Sequence, residues 1–200
     1  MPENFSAQEY YAHRAGIMAE FGKIICISTG FFYYDTAHRL CFRLKSYRHS
    51  DEKMLLLAFV ETLESFHAKV PGFHYAGHNI KEFDIPYISR RLLINQMALP
   101  SFMQFSGKKP WETNMIDTMQ LWKFGDYKNY TSLQLLAASL GIETPKDDMD
   151  GSKVKDVYYV DKDMDRITDY CQKDVTTVAQ VILRFLNLPL LPAANIFVAD

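Results

Sequence analysis

Gly77-His78-Asn79-Ile80-Lys81-Glu82-Phe83-Asp84-Ile85-Pro86-Tyr87 decides how this chain is read. An apolar segment from Phe73 to Ala76 leads into it, a short polar turn carries Asn79, and Asp84 stands immediately before a helix. Pro86 suits the first helical turn, where its missing N–H costs nothing. The pattern therefore makes Asp84 the cap of that helix, with its carboxylate projecting at a strand-to-helix junction. Such junctions are where α/β proteins commonly place their chemistry.

A second stretch answers the first. In Tyr170-Cys171-Gln172-Lys173-Asp174 the tyrosine and the aspartate are four residues apart, so on a helix they share a face one turn from each other. The apolar stripe of that helix is Met164, Ile167, Cys171, Val175, Val178, Ile182 and Phe185. Tyr170 and Asp174 each lie one residue off it, along the edge where a packed core meets a cleft.

With 200 residues and 48% hydrophobic content, the chain can bury a substantial core and most simply makes one domain over residues 1–200. Lysine and arginine number 22 against 24 acidic residues. No global positive field results, which speaks against a DNA-packaging role and leaves a metal-dependent nuclease open. Cys26, Cys41 and Cys171 are odd in number and far apart, as suits reduced core thiols in a cytoplasmic protein. The longest apolar run, Met54 to Val60, is too short to span a bilayer, so no membrane is expected as a partner. Glu3 and Glu9 argue against a signal peptide.

Taken in order, Ser6-Ala7-Gln8-Glu9 has the form of a capping box, and Tyr10, Arg14, Ile17 and Phe21 at helical spacing predict a helix over 7–20. Lys23 to Tyr34 reads as a buried strand, with Leu40 to Tyr47 its half-exposed hairpin partner across a turn at Asp35 to Arg39. Asp51 opens a helix through Lys69, and another is expected from about Ile85 to Met97. Residues 100–111 read as a surface loop. Met115 to Met119 reads as a short strand carrying Asp117, continued by aromatic residues to Gly125. Thr131 or Ser132 caps a short helix, Thr144 to Gly151 is an acidic loop, a long helix runs from about Asp163 to Leu186, and 187–200 is a tail. These elements predict an α/β or α+β layered domain whose sheet is covered by helices.

Asn79, three residues, Phe83-Asp84, and roughly ninety residues later Tyr170-x-x-x-Asp174, resemble the second and third motifs of the DEDD-type 3'-5' exonucleases in their tyrosine-bearing branch. The surroundings are closer still. Gly77 to Tyr87, Leu121-Trp122-Lys123-Phe124-Gly125-Asp126, Tyr130-Thr131-Ser132-Leu133 and Tyr170 to Val175 look like the exonucleases related to the proofreading domain of family-B DNA polymerases. The resemblance implies an α/β, ribonuclease-H-like mixed sheet flanked by helices, and a two-metal site of Mg²⁺ or Mn²⁺ held by four acidic residues. Both cations prefer hard oxygen ligands, and two of them about 3.5–4 Å apart can stabilise an attacking water and a leaving 3' oxygen. By motif position, Asp84 and Asp174 are metal ligands and, with Tyr170, the catalytic set; Tyr170 would hold the nucleophilic water. Asn79, Phe83 and Lys123 are the substrate-binding candidates. The partner implied is a nucleic acid with a 3' end, single-stranded DNA by preference.

The chain departs from this pattern at its first motif. An Asp-x-Glu on a central strand is expected near the amino terminus, and before Asp35 the only acids are Glu3, Glu9 and Glu20, none of them in such a triplet. The strand that would carry it belongs between the Lys23-to-Tyr34 strand and the later parallel strands. Three readings stay open: a piece of a longer protein; a gap filled by the tail Ile196-Phe197-Val198, bringing Asp200 to the site; or a non-catalytic relative that binds nucleic acid or a protein. A gap in the sheet would also favour a homodimer.

Blander readings stand beside these. Asp117 is as well explained by bonds to backbone as by a place in a cleft wall. His74 and His78 need not converge on zinc. Asp147, Asp148 and Asp150 suit a solvated loop. Lys108, Lys109, Lys123 and Lys128 would line a phosphate path, with Trp111, Trp122 or Phe124 offering stacking faces, or merely solubilise their loops.

Overall fold

The computed structural model of the chain describes residues 15–126, 128–143 and 149–199. These sort into two compact units interleaved along the sequence. The capping box at 6–9, most of the expected amino-terminal helix, Asp147, Asp148 and Asp200 lie outside the described residues. Where that helix would continue, Ala15–Ile17 forms a single 3-10 turn followed by turns to Phe21, so the helical spacing of Ile17 and Phe21 does not extend an α-helix to residue 20.

The first unit takes in the described residues up to Ile25, then His49–Phe73 and Lys81–Asn114. Two helices dominate it, α1 (Glu52–Lys69) and α2 (Asp84–Ile94). Asp51 caps α1 by accepting from the backbone N–H groups of Lys53 and Met54. Leu55, Leu56, Phe59 and Val60 are buried along α1, and Ile85, Tyr87 and Leu92 along α2. A buried ion pair between Glu52 and Arg91 holds this unit's polar centre. The Glu52 carboxylate also accepts from the backbone N–H of Ile24 and from the Asn95 amide, while Arg91 Nη1 donates to the Ala19 carbonyl. Every strong donor and acceptor buried there is therefore met.

The second unit takes in Cys26–Arg48, His74–Ile80 and Met115–Asp200. It carries all the strands found among the described residues: β1 (Cys26–Tyr34), β2 (Leu40–Arg48), β3 (Tyr75–Gly77), β4 (Met115–Asp117) and β5 (Ile196–Ala199). β1 and β2 form the expected antiparallel hairpin, and β3 and β4 pair in parallel. The fold is thus mixed α/β, with small sheets flanked by helices, consistent with the ribonuclease-H-like architecture that the resemblance implies. The helices of this unit include α3 (Thr118–Lys123), α4 (Leu133–Ser139) and the long α5 (Met164–Phe185).

Three expectations are corrected here. The tail does not lie between β1 and β3: β5 pairs in parallel with β2, Phe42 opposite Ile196, on the sheet's far edge. Asn195 fixes it there by donating to the Leu40 carbonyl, and Gln180 of α5 bonds reciprocally with Leu191. Second, the aromatic stretch after β4 is helical, because Asp117 caps it at once through the N–H groups of Met119 and Gln120. Third, α5 is packed on two sides, so its burial spreads beyond the single stripe. Ala179 and Leu183 meet Phe42, Leu44 and Leu191, whereas Val181 joins Leu133, Leu136, Ala137 and Ile142 of the α4 region. α5 contacts β1, β2 and β3, and among the described residues no strand lies between β1 and β3.

Candidate active site

Helix α5 sets the geometry of the carboxyl-terminal motif. Asp163 caps it by accepting from the Arg166 N–H, and Asp165 in its first turn pairs with Arg48 at the end of β2. Thr168 sits one turn before Gln172; its hydroxyl lies 4.0 Å from the Cys26 thiol of β1, and the Gln172 amide donates to Ser46 of β2 at 2.9 Å. These contacts fix the rotation of the helix. Tyr170 and Asp174 are both half-buried, and the phenol donates a hydrogen bond to the carboxylate. Burial, then the Asp174 charge and this hydrogen bond, push the Tyr170 phenol well above the usual tyrosine range, with smaller contributions from Cys171 and Asp150. Tyr170 is therefore a neutral donor at any physiological pH. Asp150 itself is exposed, as expected of a solvated loop, and accepts from the Ser152 N–H at 2.8 Å.

The turn after β3 holds Asn79. Gly77 must be glycine, because a Cβ there would lie 2.7 Å from the Ile80 Cβ. His78 bridges outward: Nε2 donates to the Thr131 carbonyl at 2.8 Å, and Nδ1 lies 2.9 Å from the Thr118 hydroxyl. With both ring nitrogens engaged, His78 makes no zinc pair with His74. Asn79 adopts φ +62°, a left-handed conformation asparagine tolerates better than most residues, and its N–H donates to Asp117 Oδ1 at 3.0 Å. Asp117 is 1% exposed and serves this turn and the α3 cap together, so it is a backbone staple and no part of a cleft wall. The Asn79 side-chain oxygen is buried and meets no hydrogen-bond donor among the described residues. A buried amide oxygen left in that state is costly unless something else binds it.

Asp84 and Phe83 belong to the first unit. Phe83, without a side-chain hydrogen bond, occupies the cap position of α2, and Asp84 is its first helical residue. The cap expected at Asp84 thus falls one residue earlier, and Pro86 stands at the third helical position, still within the first turn. Asp84 is exposed at the helix amino terminus, where the peptide dipoles favour a carboxylate. Phe83 is exposed too, its ring 5.6 Å from that of Tyr87. In the second unit Lys123 closes α3, its ammonium 4.2 Å from the centre of the Tyr130 ring. Lys108 and Lys109 lie over Phe105 and Trp111 in the first unit.

Carboxylate and amide oxygens are the right donors for a hard divalent cation. Their number is not enough: among the described residues no group of three or more His, Cys, Asp or Glu side chains gathers as a metal site. Two motif carboxylates, Asp84 and Asp174, cannot by themselves saturate two six-coordinate ions.

A family model for predicted 3'-5' exonucleases related to the exonuclease domain of PolB matches residues 17–189. The chain belongs to that family. Among curated proteins, none matches it. Among the described residues, no helix is long and apolar enough to cross a membrane.

Proposed function

We propose that residues 1–200 act as one 3'-5' exonuclease domain that removes nucleotides from the 3' end of single-stranded DNA. The observation that carries this reading is the Tyr170–Asp174 pair, a phenol held on a carboxylate across one turn of α5, within the span that matches the family. By motif position Asp84 and Asp174 hold Mg²⁺ or Mn²⁺, and Tyr170 orients the attacking water through its hydroxyl. Bound cations would supply Lewis acidity to the water and the leaving 3' oxygen. Asn79 offers its buried amide oxygen to the site, and Phe83 and Lys123 contact the strand.

By the resemblance the remaining acidic ligands belong to an Asp-x-Glu strand, and these 200 residues contain no such triplet. Its place, between β1 and β3, is where the strands of this chain leave an interruption, and the outer edge of β1 has no strand partner among the described residues. Three cysteines outside any disulfide suit a cytoplasmic setting. A second reading is a non-catalytic module of the same fold that binds nucleic acid or a protein; among the described residues no group of three or more acidic, His or Cys side chains gathers.

Incubation of a 5'-labelled single strand with Mn²⁺ separates the two. Shortening from the 3' end that is lost in Asp174→Asn supports the enzyme; binding of the same strand with no shortening supports the module.

A further inference from the structure

Between the end of α3 and the start of α4, the second unit has a groove of about 240 Å³ lined by Trp122, Lys123, Tyr130 and Leu135 among others. That volume lies below the range of pockets for larger organic ligands and suits a single planar group. The exposure around it is unusual for so short a stretch. Phe124 is 88% exposed in a left-handed backbone conformation, Tyr130 is 69% exposed and Leu135 59%. Trp122 is braced from behind, its ring parallel to that of Phe185 within 5°. Lys123 makes no ion pair among the described residues, and the one acid in the lining, Asp126, is engaged by the Lys128 N–H and the Asn129 amide. The rim is anchored to the candidate site, because the Thr131 carbonyl accepts from His78, the neighbour of Asn79.

We propose that this groove is a subsite for one unpaired base of a single-stranded nucleic acid, stacked among Trp122 and Tyr130 with the adjoining phosphate on Lys123. Exposed aromatic faces beside a cation that makes no ion pair among the described residues are what a flexible polyanion with planar bases recognises, and a base held in a duplex cannot enter. The inference rests on the nucleic-acid reading given above and adds the element that grips the strand.

The chain has two tryptophans, so Trp111→Phe leaves Trp122 as the single reporter indole. Its emission would be followed on titration with oligodeoxyuridylate and, in a second arm, oligouridylate, which differ only at the 2'-OH, in EDTA so that nothing is cleaved; the stronger arm identifies the sugar preferred. Saturable quenching is expected, weakened about ten-fold by Tyr130→Ala, retained by Tyr130→Phe, and with a salt slope lower by about 0.7 in Lys123→Ala. Unchanged Trp122 emission at saturating strand, equal quenching by a blunt duplex, or full affinity in Tyr130→Ala would each overturn it. Quenching without cleavage in Mn²⁺ would sink the exonuclease reading alone, and cleavage without quenching would sink the groove alone.

Discussion

The Tyr170 hydroxyl donates to the Asp174 carboxylate one turn further along α5, and burial together with the Asp174 charge and this hydrogen bond keeps the phenol protonated. Because the folded phenol is raised above its ordinary value of 10.0, its contribution to stability is fully present below that pH and is lost as pH rises further. Thermal denaturation between pH 9 and 12 should therefore fall more steeply for the parent than for Tyr170→Phe. Equal slopes would show that the phenol is not held in this way.

Glu52 and Arg91 make a different pairing, structural and buried. Burial alone would raise the Glu52 carboxyl, yet Arg91, the Ile24 N–H and the Asn95 amide together hold it below its usual 4.5. Its stabilisation is thus present above that pH and disappears as pH falls through the lowered value. Arg91→Met should cost about 3–5 kcal/mol in urea unfolding at pH 7, and much less below pH 4, where the stranded carboxyl can protonate.

The Cys26 thiol is lowered to about 7 by a hydrogen bond from Cys171, against the opposing effect of burial and with help from Thr168, Ser28 and Arg48. Iodoacetamide should modify Cys26 before the buried Cys41, with a half-maximal rate near pH 7, as read by peptide mass mapping. The sign for stability follows. A lowered thiol stabilises most above its unfolded value of 9.0 and loses that effect as pH falls through 7, so Cys26→Ser should flatten the rise in melting temperature between those limits.

At the turn after β3, two substitutions separate structure from function. Gly77→Ala places a Cβ against Ile80 and should destabilise by about 1–3 kcal/mol. Asn79→Gly keeps the left-handed backbone and removes an oxygen with no donor among the described residues, so stability should change by no more than about 1 kcal/mol. A fall in strand binding or shortening in Asn79→Gly at unchanged stability would place the amide in the working site; unaltered function would remove it.

What could be seen in the sequence was what periodicity and capping encode. The β1–β2 hairpin, the helices opening at Asp51 and about Asp163, and the one-turn spacing of Tyr170 and Asp174 follow from local rules, and all are present in the fold. The pairing of β5 with β2 was not legible, because strand pattern fixes which face is buried and not which neighbour is chosen. Asp117 looked ambiguous for a similar reason: its cap bonds to Met119 and Gln120 are local, but its bond from the Asn79 N–H forms only once β3 and β4 are paired. The low thiol of Cys26 depends on a helix residue 145 positions away, Cys171, which no local pattern connects to it.

The central claim is that the Tyr170–Asp174 pair works at the 3' end of a strand. Its most direct test is release of 3'-terminal nucleotides from a 5'-labelled oligothymidylate in Mn²⁺, measured side by side for the parent, Tyr170→Phe and Asp174→Asn. The account predicts stepwise shortening by the parent, a rate lower by about 10² or more in Tyr170→Phe, and none in Asp174→Asn. Shortening at the parent's rate in either variant, or none by the parent, would contradict it.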